Sequence, residues 1–233
     1  MKNKTIKNKF HTVIISDLHL GSRVSRSREV AEFLKNIKFQ KLILLGDIFE
    51  DLNFNVLKEN DWKFLSLVGE LSKTKKVRWV EGNHDLKLSE IFGTLIGAKV
   101  YKVYKWRYKD KKYAAIHGHQ FDDFLISYPL IGNLAGRIYN LIQIIDFSHD
   151  KKISRFVKRS SKGWLRLSGK VAKRAIVYAQ LRGIDYIFCG HTHKAMELTK
   201  DGVSYYNSGC WTDVPSTYIT LDDKGIKIQK YPG

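Results

Sequence analysis

Cysteine is scarce: Cys189 and Cys210 are the two in 233 residues, too few for a disulfide framework. Both sit in strand-like surroundings and read as reduced, buried thiols of a cytoplasmic protein. Acidic residues are also few. Asp and Glu number 23 against 41 Lys and Arg, leaving a net charge of +18. That excess favours an anionic partner, whether nucleic acid, an acidic lipid surface or a phosphorylated substrate, and does not choose among them. A generic lysine-rich surface gives the same balance. There is no internal repeat and no low-complexity segment. Met1 to Lys9 is a polar, Lys-rich arm without an apolar stretch, so no secretory signal is expected.

What is present is a globular composition, 43% hydrophobic and 27% charged, with length enough for one sizeable core. The first half alternates strands and helices. Thr12 to Ser16, Lys41 to Leu45 and Val77 to Val80 are short apolar runs. Between them, Arg28 to Ile37 and Asp61 to Ser72 carry apolar residues at helical spacing. This alternation predicts an α/β domain with parallel strands. Ala114 to Ile116, Asp185 to Cys189, Val203 to Tyr206, Ser216 to Leu221 and Ile226 to Lys230 predict further strands. Two packed sheets with helices outside are expected.

Five motifs follow strand ends: Asp17-Leu18-His19, Gly46-Asp47, Gly82-Asn83-His84-Asp85, His117-Gly118-His119 and Gly190-His191-Thr192-His193. In open α/β sheets, functional groups gather beyond the carboxyl ends of strands. Each motif alone is weak; Gly-Asn-His-Asp by itself could be a plain turn. Together they hold six of the eight histidines, and only His11 and His149 lie outside them. Carboxylate, amide oxygen and imidazole are the donors that hold pairs of Mn²⁺, Fe²⁺ or Zn²⁺. Asp17 and His19 share one face of an extended stretch and can ligate one ion, with His193. Asp47 suits a bridge between two ions roughly 3.5–4 Å apart. Asn83, His117 and His191 suit the second ion.

A long segment, Phe121 to Arg182, interrupts the pattern with helical character. Its first part, Leu125 to Phe147, is strongly apolar. A membrane span is set aside because Pro129, Gly132, Asn133, Gly136, Arg137, Asn140 and Gln143 break the run. A helical cap insertion over 121–182 within a single domain of residues 1–233 is expected instead. Lys151 to Arg174 is basic with interleaved Phe156, Trp164 and Leu165. It reads equally as a solvated helical face and as a wall that grips an anionic amphiphile.

The motif set resembles the calcineurin-like metallophosphoesterase superfamily over nearly the whole chain, from about residue 12 to 221. The resemblance implies a four-layer α-β-β-α sandwich of two mixed sheets. It implies first-ion ligands Asp17, His19, Asp47 and His193, and second-ion ligands Asp47, Asn83, His117 and His191. Two divalent ions, with Mn²⁺ first in expectation, would arm a solvent molecule for in-line attack on phosphorus. His84 would hydrogen-bond the phosphoryl group or protonate the leaving oxygen. Asp85 would orient His84 or cap the following helix at Leu86.

Further residues are similar to the UDP-2,3-diacylglucosamine pyrophosphatase branch. These are Gly46-Asp47-Ile48-Phe49-Glu50, the insertion between His117 and His191, Ser160-Ser161-Lys162 and Asn207-Ser208-Gly209-Cys210-Trp211. Such enzymes release UMP from a UDP-linked acylated sugar at the inner membrane surface. The branch carries Arg where this chain has His84, and Asp where it has His119. Expected substrate contacts are Asn83, His119, Arg155, Lys158, Arg159, Lys162 and Trp164. The implied partner is a phosphorylated small molecule or lipid-linked nucleotide, met in the cytoplasm with peripheral contact to an acidic membrane. A nuclease, another phosphodiesterase or phosphatase, and a non-catalytic binding module remain alternatives. Loss of metal ligands would mark the last, and every ligand is present.

Overall fold

The computed structural model describes residues 9–51, 53–86, 88–122 and 162–232. Its elements run β1 (Lys9–Ile15), α1 (Ser27–Asn36), β2 (Lys38–Leu45), α2 (Glu59–Thr74), β3 (Lys76–Val80), α3 (Leu88–Leu95) and β4 (Lys99–Tyr101). Then come β5 (Tyr104–Tyr108), β6 (Lys111–Ala115), α4 (Lys162–Gln180), β7 (Tyr186–Cys189) and β8 (Met196–Lys200). The last are β9 (Val203–Asn207), β10 (Ser216–Asp222) and β11 (Gly225–Tyr231). Two sheets result, ordered β11-β10-β1-β2-β3-β4 and β5-β6-β7-β9-β8. Both are mixed. β1 to β4 pair in parallel and β10 and β11 antiparallel. β6, β7 and β9 are parallel, flanked by antiparallel β5 and β8.

Alternation along the strands builds the layers, because successive side chains point to opposite faces. Val13, Ile15, Leu42, Leu44, Val77 and Trp79 join Phe33, Leu34, Phe64 and Val68 of α1 and α2 in one core cluster. Ile14, Ile43, Leu45 and Val80 meet Tyr113, Ala115, Phe188 and Tyr206 of the second sheet. Ala114, Ile187, Cys189 and Tyr205 face Val171, Ala172, Ala175, Ile176 and Ala179 of α4. The order is therefore helix, sheet, sheet, helix, as the family resemblance implies. Each fully buried Leu, Ile, Val or Phe contributes about 1.5–3 kcal/mol.

The expected cap overlaps the fourth layer. α4 forms that layer, with Val171, Ala172, Ala175 and Ala179 fully buried. Residues 123–161 of the expected cap, including the apolar run 125–147, lie outside the described residues. Among the described residues, no helix is long and apolar enough to cross a membrane.

One buried cation sits between the sheets. Lys41 is 6% exposed, and its Nζ lies 4.9 Å from the Trp106 ring centroid and 5.5 Å from that of Tyr104. Burial, then the charges of Lys76 and Arg78, pull its pKa down from 10.5 to about 8. The folded chain thus binds fewer protons than the unfolded chain between these values. Below about 8 the destabilisation is complete, and it is relieved as pH rises toward 10.5. Lys41→Met should remove a cost of about 1 kcal/mol at neutral pH and raise Tm by roughly 2–4 °C. Thermal melts at pH 7 and pH 10 check this: the gain should shrink at the higher pH, and a lower Tm at pH 7 would refute it.

Candidate metal centre

All five motifs lie just beyond the carboxyl ends of parallel strands, after β1, β2, β3, β6 and β7. Past β1 and β2 the two loops stay joined. Asp17 N donates to Gly46 O (3.0 Å), His19 N to Asp47 O (3.1 Å) and Leu20 N to Ile48 O (2.8 Å). The expected extended backbone is not what carries Asp17 and His19. Both adopt left-handed conformations, with φ of 53° and 50°. Asp47, His191 and His193 do the same, at 51°, 65° and 51°. Five of the seven described non-glycine residues with positive φ are thus candidate ligands. This conformation costs roughly 1–2 kcal/mol per residue. It persists where surrounding structure over-determines it, which is typical of functional sites.

Two motif glycines permit close approach. A Cβ on Gly46 would run into the His117 ring. One on Gly190 would stand 2.5 Å from Asp17 Oδ2. Their neighbours are the candidate ligands themselves, so neither loop tolerates a side chain there.

The donors converge into two groups. Asp17, His19 and His193 form one, and Asp47, His117 and His191 the other, each with its donor atoms within 4.8 Å of one another. His193 Nε2 lies 3.1 Å from Asp17 Oδ1 and 3.2 Å from His19 Nε2. His117 Nε2 lies 3.1 Å from Asp47 Oδ2. The His117 and His191 rings are 5.5 Å apart. Asp17 is completely buried, and Asp47 is 2% exposed.

Electrostatics couple the groups. Burial disfavours a charged His117, but Asp47 beside it outweighs burial and pushes the ring up to about 10. Burial likewise opposes ionisation of Asp47, yet His117 and His84 hold its carboxyl well below the usual range. Two buried carboxylates thus make a local field that favours cations. The donors fit divalent ions on a separate count. Asn83 Oδ1 and His117 Nε2 are buried without a hydrogen-bond partner, although Asp47 Oδ2 is close to the latter. Short separations without hydrogen-bond alignment are expected of donors that face a shared cation. Their mixture of carboxylate, amide and imidazole suits Mn²⁺, Fe²⁺ or Zn²⁺.

Residues 10–195 match the model of the calcineurin-like phosphoesterase family. The chain belongs to this family. A comparison with curated proteins yields no match. Among solved structures, the chain is similar to Yfce, a phosphoesterase from E. coli, at 17% identity and TM-score 0.49. That likeness covers 91% of this chain and 88% of the other. It is similar to a phosphopantetheinyl hydrolase from Mycobacterium tuberculosis, at 14% identity and TM-score 0.49, over 86% of this chain and 90% of that one. It is also similar to vacuolar protein sorting 29 from Cryptosporidium parvum, at 14% identity and TM-score 0.45, over 97% and 100%. No substrate is carried over from these likenesses.

The calcineurin-like phosphoesterase fold surrounds the donors with groups that hold them. His117 Nδ1–H donates to Leu45 O (2.8 Å), which leaves Nε2 for the centre. His84 is exposed and edge-on to His19, with ring centroids 5.1 Å apart. Its backbone N donates to Asp47 Oδ1 (2.9 Å), and its Nδ1–H to Glu50 O (2.6 Å).

The expectation that Asp85 orients His84 or caps the next helix through its side chain needs correction. Asp85 is completely buried. Its carboxylate accepts from Asp47 N (3.0 Å), Gly82 N (2.9 Å), Trp79 Nε1 (2.9 Å) and Ile48 N (3.4 Å). It therefore ties the loop after β2 to the loop after β3, while backbone Glu50 O holds the His84 ring. Burial, then the charge of Asp47, raises the Asp85 carboxyl to about 6.

The other expected contacts divide. The His119 ring lies 5.5 Å from His117 and 6.4 Å from His191, and its buried Nδ1 has no hydrogen-bond partner. Burial, then the charges of His117 and His191, lowers its pKa to about 3. Arg155, Lys158 and Arg159 lie outside the described residues. Lys162 and Trp164 fall in the first turn of α4, and their side chains lie outside the description.

Three residues that sequence reasoning assigned no role brace the donors. Glu50 Oε2 lies 2.8 Å from His19 Nδ1. Asp122 Oδ2 accepts from His191 Nε2 at 3.0 Å. Asn207 Nδ2 donates to Gly190 O (2.6 Å) and Thr192 Oγ1 (3.2 Å). Glu50 and Asn207 sit inside stretches that resemble the pyrophosphatase branch, which was the available signal. Asp122 carried none.

Proposed function

We propose that this calcineurin-like phosphoesterase is a two-metal hydrolase that cleaves the pyrophosphate of a UDP-linked acylated sugar. The observation that supports it most is convergence. Six donors from four separated segments gather into two groups, and Asn83 Oδ1 is buried without a hydrogen-bond partner. In this reading Asp17, His19, Asp47 and His193 hold the first ion, and Asp47, Asn83, His117 and His191 the second. Such a pair, when bound, supplies Lewis acidity and a solvent nucleophile at neutral pH.

The chain's own residues do the rest. Asp47, grouped with His117 and His191, would in this reading offer its carboxylate to both ions. His84 stands exposed at the mouth, with Nδ1 occupied and Nε2 available for a phosphoryl or leaving oxygen. His119 lies beside His117 and His191. Hydrolysis adds one water across the anhydride. A P–O bond breaks, one phosphate leaves with the nucleoside as UMP, and the other stays on the sugar.

The substrate class is supported by sequence. The Gly46 to Glu50 stretch, the insertion between His117 and His191, and the net charge of +18 all agree with an anionic amphiphile. Lys and Arg would meet its phosphates, and apolar area would bind acyl chains at ~25 cal/mol per Å². A cytoplasmic enzyme touching an acidic membrane surface belongs to the same reading. UMP release should be measured from UDP-2,3-diacylglucosamine with Mn²⁺, beside DNA under the same conditions. The expected result is UMP with intact DNA. Cleaved DNA with untouched nucleotide sugar would replace this substrate by a polynucleotide.

A further inference from the structure

Asp122 lies outside both donor groups, yet it is 3% exposed and its Oδ2 is 3.0 Å from His191 Nε2. A ring that donates from Nε2 keeps its lone pair on Nδ1. We propose that Asp122 is a positioning residue, selecting the His191 tautomer that presents Nδ1 to the second ion and fixing the plane of the ring. The inference rests on the two-metal reading above. A metal-binding imidazole commonly gives its other N–H to a carboxylate, which orients the ring and raises its basicity.

His191 is anchored at both ends. Its backbone N donates to Asp17 Oδ1 and Oδ2, each at 3.2 Å, and its ring reaches Asp122. One candidate ligand of the first ion therefore holds the backbone of a candidate ligand of the second. Asp122 itself is firmly placed. It follows a single 3₁₀ turn, His119–Phe121, and its N donates to His119 O at 3.1 Å. Phe121 is buried in the α4 cluster, with its ring 5.7 Å from that of Tyr178. Arg174 Nη1 of α4 donates to Phe121 O at 3.0 Å. Phe121 thus ties the segment that carries Asp122 to the outer helix, while Asp122 itself reaches a ligand loop of the second sheet. A carboxylate at this spot has a rigid mount, which a positioning role requires.

Metal uptake tests this without turnover. Mn²⁺ alone is titrated into the full chain, following free ion by electron paramagnetic resonance. Wild type should bind two ions. Asp122→Ala should weaken one of them by roughly 10–100-fold, leaving the other near wild type. Asp122→Asn keeps an acceptor without the charge and should recover part of the loss; it also carries the test should the alanine variant fail to fold. His191→Ala supplies the decisive background. If Asp122 acts through that ring, adding Asp122→Ala to His191→Ala changes affinity no further. Full additivity, or two ions bound by Asp122→Ala at wild-type affinity, overturns this inference alone. A wild-type chain that takes up no Mn²⁺ overturns the two-metal reading, and this inference with it.

Discussion

Asp47→Ala is expected to cut hydrolysis of bis-nitrophenyl phosphate by at least about a thousandfold, equivalent to about 4 kcal/mol of transition-state stabilisation. The side chain has two separate jobs. Its Oδ2 faces His117 Nε2 at 3.1 Å, within the second donor group. Its Oδ1 accepts the backbone N–H of His84 at 2.9 Å. Removing the carboxylate takes away the candidate bridge and frees the loop that carries His84. An unmet buried N–H costs about 1–3 kcal/mol of stability. Asp47→Asn separates the two effects, because the amide oxygen still accepts from His84 while the negative charge is gone. Both variants should lose turnover and Mn²⁺. The alanine variant should also melt lower. Wild-type turnover in either would refute the shared-carboxylate assignment.

His84→Ala is expected to lose roughly 10²–10⁴ in rate on a substrate with a poor leaving group while still binding two Mn²⁺. His84 is exposed, and neither of the groups built around Asp17 and Asp47 includes it. A third grouping does unite His19, Glu50 and His84. There, however, Nδ1 of His84 is taken by Glu50 O, and Glu50 faces His19 Nδ1 rather than the His193 side of that ring. A proton donor matters when the departing oxygen is basic, and little when it is not. The loss should therefore be large for an alkyl ester, whose departing alkoxide is strongly basic, and small for a nitrophenyl ester or a pyrophosphate, whose departing oxygens are not. Equal losses on both would point to phosphoryl binding rather than proton transfer. Loss of an ion on this change would make His84 a ligand.

The central strands were legible because they are apolar on both faces. β1, β2 and β3 carry runs such as Val13-Ile14-Ile15 and Leu42-Ile43-Leu44-Leu45, buried by helices on one side and a sheet on the other. The strands left unread are edges. β4, β5 and β8 each have one neighbour. In β5, Lys105 and Arg107 alternate with Tyr104, Trp106 and Tyr108, so no apolar run forms. In β8, Glu197 and Lys200 are exposed in the same manner. Charge on an edge strand discourages pairing with other chains, and it also hides the strand from a search for apolar runs. The helical stretch at the end of the expected insertion meets a related limit. Helical periodicity in Lys162–Gln180 says that one face is apolar. It does not say whether that face covers a substrate or, as here, the second sheet.

Asp122 shows where motif reading stops. One acidic residue between His119 and an apolar stretch has no spacing that marks it. Its significance arises because β7 delivers His191 beside it, 69 positions along the chain. Asp85 was marked by its motif, but for a role the fold gives to Glu50 O.

The chain's own order of residues determined the family, the alternation of strand and helix, and the chemical type of the candidate donors. These are local properties: side-chain type, and spacing along a few consecutive residues. Tertiary structure alone decided which donors share a group, which backbone positions take the left-handed turn, and which carboxylate buttresses which ring. Such matters depend on segments far apart in sequence being pressed within about 3 Å of each other, and no local pattern encodes that distance.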